Sequence, residues 1–193
     1  MAKLNNNILL NDFTDGVLRL TLNDVQRRNA LSVDMLSQIT DALASAANNT
    51  SVRVIVLAAS GSVFCAGHDL KEMTKARKEQ DGGEAFFDQL FQTCASVMQN
   101  IVRHPKPIIA EVAGVATAAG CQLVASCDLA IAAESAQFAT PGVNIGLFCS
   151  TPMVALSRNV SHKHAMEMLL LGEMLNAEKA LELGLINLSL IHI

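Results

Sequence analysis

Two segments of this chain carry the pattern that most invites chemistry. One is "VIVLAASGSVFCAGHDLKEM" (54–73), the other "IIAEVAGVATAAGCQLVASC" (108–127). In each, a buried-looking strand runs into a Gly/Ala loop and then into a helix start. A helix start bears unpaired backbone N–H groups and a partial positive charge. Small residues let a ligand oxygen approach those donors. Two such loops side by side would aim two amides at one point, which is how an oxyanion hole is built. Close packing of a helix on a sheet uses the same small residues, so the pattern alone leaves both readings open. A lone amide side chain, Gln122, follows the second small run. Neither G-K-[ST] nor G-x-G-x-x-G is present for a nucleotide phosphate, and there is no G-x-S-x-G nucleophile elbow.

The flanking elements must hold these loops. Residues 8–22 read as a hairpin around a "TDG" turn. "SVDMLSQITDALASAAN" predicts a helix with Ser32 as N-cap and Met35, Leu36, Ile39 and Leu43 facing inward. "VRVIVLAAS" and "PIIAEVAG" are continuous apolar strands of the kind covered on both faces. "EAFFDQLFQTCASVMQNIVRHPKP" predicts a long helix with Phe87, Leu90, Phe91, Cys94, Met98 and Ile101 on its buried side, ended before Pro105. "STPMVALSRNV" offers a Ser/Thr cap with Pro152 near the first helical position. "KHAMEMLLLG" and "NAEKALELG" are helices each closed by a glycine. Strands alternating with crossover helices give an α/β fold with a substantial parallel component.

Composition narrows the function. The chain has 193 residues, 51% of them hydrophobic and 17% charged, enough for one sizeable core. No apolar run is long enough to span a membrane. A net charge of −4, with no basic cluster beyond Arg27 and Arg28, argues against nucleic acid. "MAKLNNNILL" has no secretory character. The five cysteines form no C-x-x-C pair and read as small apolar residues of a reducing compartment. The expected location is the cytoplasm, or the mitochondrial matrix if a transit peptide has been removed. His162 and His164 stand at i and i+2 and cannot share a helix face, so metal binding there is not expected.

Taken jointly, the two loops resemble those of the crotonase superfamily, the enoyl-CoA hydratase/isomerase family. "FCAGHDLKEM" is similar to its acyl-CoA-binding loop and "VAGVATAAGCQLVASCDLAIA" to its second oxyanion loop. "QRRNALS", "AQFATPGVNIGL" and "AMEMLLLGEMLNAEKALELGLIN" continue the match, from about Gly16 to Asn187. The resemblance implies a crotonase (ClpP-like) fold of repeated ββα units, assembled as a homo-trimer or hexamer. It implies a place in fatty-acid metabolism and an acyl-CoA thioester as partner, with coenzyme A entering as part of that substrate and no separate cofactor. The thioester carbonyl would lie between the backbone amides of His68 and Ala119. Arg27, Arg28, Ala30, Ala66, His68, Asp69 and Leu70 would meet the coenzyme A moiety, although Asp69 could equally cap the helix that follows it.

The resemblance also exposes a departure. The two glutamates that flank the double bond in the family's hydratases fall on Gln122 and Gly142. An amide cannot take a proton near neutral pH and glycine offers nothing. Classical hydration is therefore expected to be weak or absent, and glutamates restored at both positions should recover some of it. His68 is the first candidate for another proton carrier. Two further functions stand beside an enzyme of the family: a non-catalytic acyl-CoA-binding or regulatory protein, and an interaction module with a vestigial site. Residues 1–187 form the expected domain. Residues 188–193 read as a short apolar tail, as if the C-terminal helices were partly missing, and that tail favours self-association.

Overall fold

The computed structural model describes residues 7–192. Residues 1–6 of the stretch read as lacking secretory character, and Ile193 of the apolar tail, lie outside the described residues.

Strands β1 (Leu9–Thr14) and β2 (Val17–Leu22) form the expected antiparallel hairpin. Asp15 and Gly16 both take positive φ in its turn, the backbone that matches strand twist. Helix α1 (Val33–Asn48) follows, and the Ser32 side chain accepts the Met35 N–H at 3.1 Å. Met35, Leu36, Ile39 and Leu43 are buried as their spacing predicts.

Three strand pairs then repeat one plan: β3 (Val54–Ala59) with β4 (Val63–Cys65), β5 (Ile108–Val112) with β6 (Val115–Thr117), and β7 (Leu129–Ala133) with β8 (Gln137–Ala139). The first strand of each pair joins a six-stranded sheet of order β1-β2-β3-β5-β7-β10. The second joins a four-stranded sheet of order β4-β6-β8-β9. Neighbours from β2 to β10 in the large sheet, and from β4 to β8 in the small one, are parallel. The helices are α2 (Leu70–Ala76), α3 (Glu84–Val102), α4 (Ala119–Ser126), α5 (Ser150–Asn159), α6 (His162–Leu171) and α7 (Ala177–Glu182). Strand β9 (Leu175–Asn176) precedes α7 and β10 (Leu188–Leu190) follows it. This is the repeated ββα architecture that the resemblance implies.

Several local expectations shift. Ser150 opens α5 rather than capping it, with Cys149 at the N-cap position. Phe91 is exposed, its ring edge-on to His68, and Phe87 is only half-buried, stacked on Phe91. Residues 188–190 of the apolar tail pair with β7, and the Asn187 side chain accepts the Ala130 N–H at 2.8 Å, so they extend the large sheet. Across that sheet Arg19 of β2 holds Glu111 of β5 through two hydrogen bonds, one of 2.8 Å, which makes Glu111 structural.

Candidate active site

The site begins where β4 and β6 end. They are parallel neighbours, with Val63 opposite Val115 and Cys65 opposite Ala116, so both following loops emerge on the same side. The Thr117 hydroxyl ties them together by donating to the Ala66 carbonyl at 3.2 Å. Gly67 has φ +94°, and a Cβ placed on it would stand 3.4 Å from the Ala119 nitrogen. The turn that carries His68 therefore lies directly against the first residue of α4. As the first helical residue, Ala119 has an N–H with no intrahelical acceptor.

Ala118 sets the direction of that helix start with φ +51° and ψ −121°, a backbone that L-residues seldom adopt. Its N–H donates to Ala139 at 2.9 Å and its carbonyl accepts from Gln122 at 3.1 Å, which fixes the conformation. Such strain costs on the order of 1–3 kcal/mol and concentrates at functional sites. The glycines of the small run answer to packing instead. A Cβ on Gly114 would strike the Ser62 carbonyl, and one on Gly120 the Cys65 carbonyl. The small residues thus bring the loops together and leave a helix start bare at the junction.

A third segment braces the first loop. Leu31 N–H donates to the Gly67 carbonyl at 2.8 Å, Ala66 N–H donates to the Arg28 carbonyl at 3.1 Å, and Leu31 forms a bridge with His68. Asn29, wholly buried with φ +50°, donates to Ser60 and Val63 and accepts from the Asp24 N–H. Its role was missed in the sequence, where the only signal was the tolerance of asparagine for left-handed backbone.

The His68 ring meets Phe91 edge-on, with centroids 5.5 Å apart, and Phe91 stacks on Phe87, over which Arg77 lies. Burial lowers the His68 pKa from its ordinary 6.5, opposed by the nearby Leu31 backbone. Its Nδ1 is buried and, among the described residues, has no hydrogen-bond partner. The ring is therefore a neutral imidazole at neutral pH.

Gln122 lies on α4 and is 6% exposed, its Oε1 also buried and, among the described residues, without a partner. It stands in the wall of a cavity of about 500 Å³ between α3, α4 and α5. Gly142 sits in a short 3₁₀ turn, Pro141–Ile145. A Cβ there would come within 2.7 Å of both the Cys149 Sγ and the Leu147 carbonyl. A glutamate at 142 therefore needs the 147–149 turn to move, an obstacle to restoring the pair.

The residues expected at coenzyme A gather around the same loop with unequal freedom. Arg27 is spoken for by carboxylates: Asp24 at 3.6 Å, Asp69 at 3.5 Å and Glu72 at 4.0 Å. Asp69 is buried and caps α2, accepting from Lys71 and Glu72 N–H groups at 2.8 and 3.3 Å. Arg28 is exposed and, among the described residues, enters no ion pair. Ala30 is buried, Ala66 half-buried and Leu70 64% exposed at the start of α2. All five cysteines are free, and burial pushes the Cys65, Cys121 and Cys127 thiols up to about 12, so these three are apolar filler.

Comparison with known proteins matches this arrangement. Residues 12–190 fit the family described as enoyl-CoA hydratase/isomerase. The rat protein named enoyl-CoA hydratase domain-containing protein 3, mitochondrial, is 51% identical over 173 residues, covering 90% of this chain and 56% of its own length. The human protein of that name is 49% identical over 173 residues, covering 90% of this chain and 55% of its own. The chain thus spans little more than half the length of these relatives. A crystal structure of enoyl-CoA hydratase from Mycobacterium smegmatis superposes with a TM-score of 0.89 at 54% identity, covering 95% of this chain and 70% of that one. With its paired sheets, its two adjoining loops and these relatives, the chain belongs to the enoyl-CoA hydratase/isomerase family.

Proposed function

We propose that this chain binds acyl-CoA thioesters, with the carbonyl oxygen held between the backbone amides of His68 and Ala119, and hydrates enoyl-CoA feebly or not at all. The observation that carries this reading is the close approach of Gly67 to Ala119, where two loop ends meet at a helix start. A backbone donor needs no particular side chain, so His and Ala serve at these positions. Arg28, which pairs with no carboxylate among the described residues, is the better candidate for a coenzyme A phosphate, while Arg27 braces Asp69 and Glu72. Coenzyme A comes with the substrate and no separate cofactor is invoked. Assembly as a trimer or pair of trimers follows the family resemblance, and the names of the relatives favour the mitochondrial over the cytoplasmic location.

The chemistry of proton transfer distinguishes binding from turnover. General acid–base groups each contribute about 10²–10⁴-fold, and neither Gln122 nor Gly142 supplies one. Titration with acetyl-CoA beside free acetate tests the site, and a crotonyl-CoA hydration assay tests the chemistry. Saturable binding of acetyl-CoA with negligible hydration is the expected pair of results. Equal, negligible affinity for acetyl-CoA and acetate would overturn the site. Hydration at ordinary enzyme rates would overturn the missing base.

A further inference from the structure

The cavity beside Gln122 is continuous with α4 in a way that bears on substrate choice. Ala119, Gln122 and Ser126 recur at i, i+3 and i+7 and so share one face of the helix. That face starts at the amide assigned to the thioester and runs into the cavity, which Gln122 and Ser126 both line. Met98 and Val102 of α3 and Val154 and Ala155 of α5 make its sides apolar, as a hydrocarbon chain requires. The cavity wall also carries charge. Arg103 and Arg158 both line it, and among the described residues neither enters an ion pair. Asp128 lines it as well, but its carboxylate already accepts the Ile108 N–H at 2.7 Å. The local balance is one positive charge in excess.

We propose that this cavity receives an acyl chain ending in a carboxylate, with Arg103 and Arg158 as the specificity-determining residues. The inference rests on the assignment of His68 and Ala119 to the thioester. A guanidinium takes a carboxylate through charge-assisted, often bidentate hydrogen bonds, whereas a methyl end offers it nothing. The eight residues of α4 span roughly 12 Å at about 1.5 Å per residue. That distance suits a chain of medium length, so the substrate class is a medium-chain ω-carboxyacyl-CoA.

The test is calorimetric titration with acetyl-CoA, octanoyl-CoA and suberyl-CoA, the ω-carboxy counterpart of octanoyl-CoA. Suberyl-CoA is expected to bind about tenfold more tightly than octanoyl-CoA, with the preference shrinking as salt rises. Arg103→Gln with Arg158→Gln should bring the ratio of the two affinities to about one. Lys163→Gln, a cation removed from α6, should leave the ratio unchanged. A wild-type ratio of one, or a preference that survives the double arginine change, overturns the assignment of the chain end. If acetyl-CoA binds in either case, the thioester site itself stands. If acetyl-CoA does not bind, both fall.

Discussion

A Cβ built on Gly67 would lie 3.0 Å from the Cβ of Ala118, closer than side chains ordinarily pack. These residues sit on different loops, and both hold positive φ, +94° and +51°. Their contact sets the separation of the two amides that follow them, those of His68 and Ala119. Gly67→Ala should destabilise the fold by about 1–2 kcal/mol through backbone strain and weaken acetyl-CoA binding about tenfold by pushing the loops apart. Chemical denaturation and titration read the two effects separately. Unchanged affinity would mean that the loop spacing does not govern the site.

Ala118→Gly tests the strain from the other side. Glycine adopts the observed backbone freely but loses more entropy on folding, so stability should change by no more than about 1 kcal/mol and binding should persist. Ala118→Val should be strongly destabilising, since a β-branched residue tolerates positive φ poorly. Equal stability of the two variants would show that the backbone at 118 carries no strain.

Gly142→Glu meets the Leu147 carbonyl and the Cys149 sulfur. We expect a loss of about 1–3 kcal/mol from overpacking, and hydration far below ordinary enzyme rates even when combined with Gln122→Glu. Thermal melting and the crotonyl-CoA assay check this. A stable, fast double variant would show that the 147–149 turn yields easily.

His68 gives a pH signature. Burial holds its folded pKa below the ordinary 6.5, so below about pH 6.5 the unfolded chain takes up a proton that the folded chain refuses. Stability attributable to this residue therefore falls as pH drops through that window. His68→Phe removes the effect and should lose less stability between about pH 7.5 and 5.5 than the parent. Denaturant titrations at both pH values decide it, and equal losses would contradict a buried, neutral ring.

Much of this was legible in the sequence because it rests on local rules. Ser32 capped its helix as its type predicts, the Asp15–Gly16 turn closed its hairpin, and Met35 to Leu43 fell on the buried face. The meeting of the loops was readable only through resemblance, since β4 and β6 pair across about 50 residues of chain, a separation no local pattern encodes. Phe91 shows where periodicity misleads: helical spacing reports a face but not what covers it, and this ring turned toward His68. The three carboxylate neighbours of Arg27 are set by tertiary packing, and nothing in the spacing of "QRRNALS" shows them. The obstruction at Gly142 comes from Leu147 and Cys149, through a turn that composition does not reveal.

The most direct measurement is the carbonyl stretch of a bound thioester. Acetyl-CoA labelled with ¹³C at the carbonyl can be followed by isotope-edited infrared spectroscopy, free and in complex with the protein. Two amide donors converging on the oxygen polarise the bond, so we expect the bound band at clearly lower frequency than the free one, with the shift diminished in Gly67→Ala. A bound thioester whose carbonyl band stays at its solution frequency would contradict a carbonyl held by His68 and Ala119.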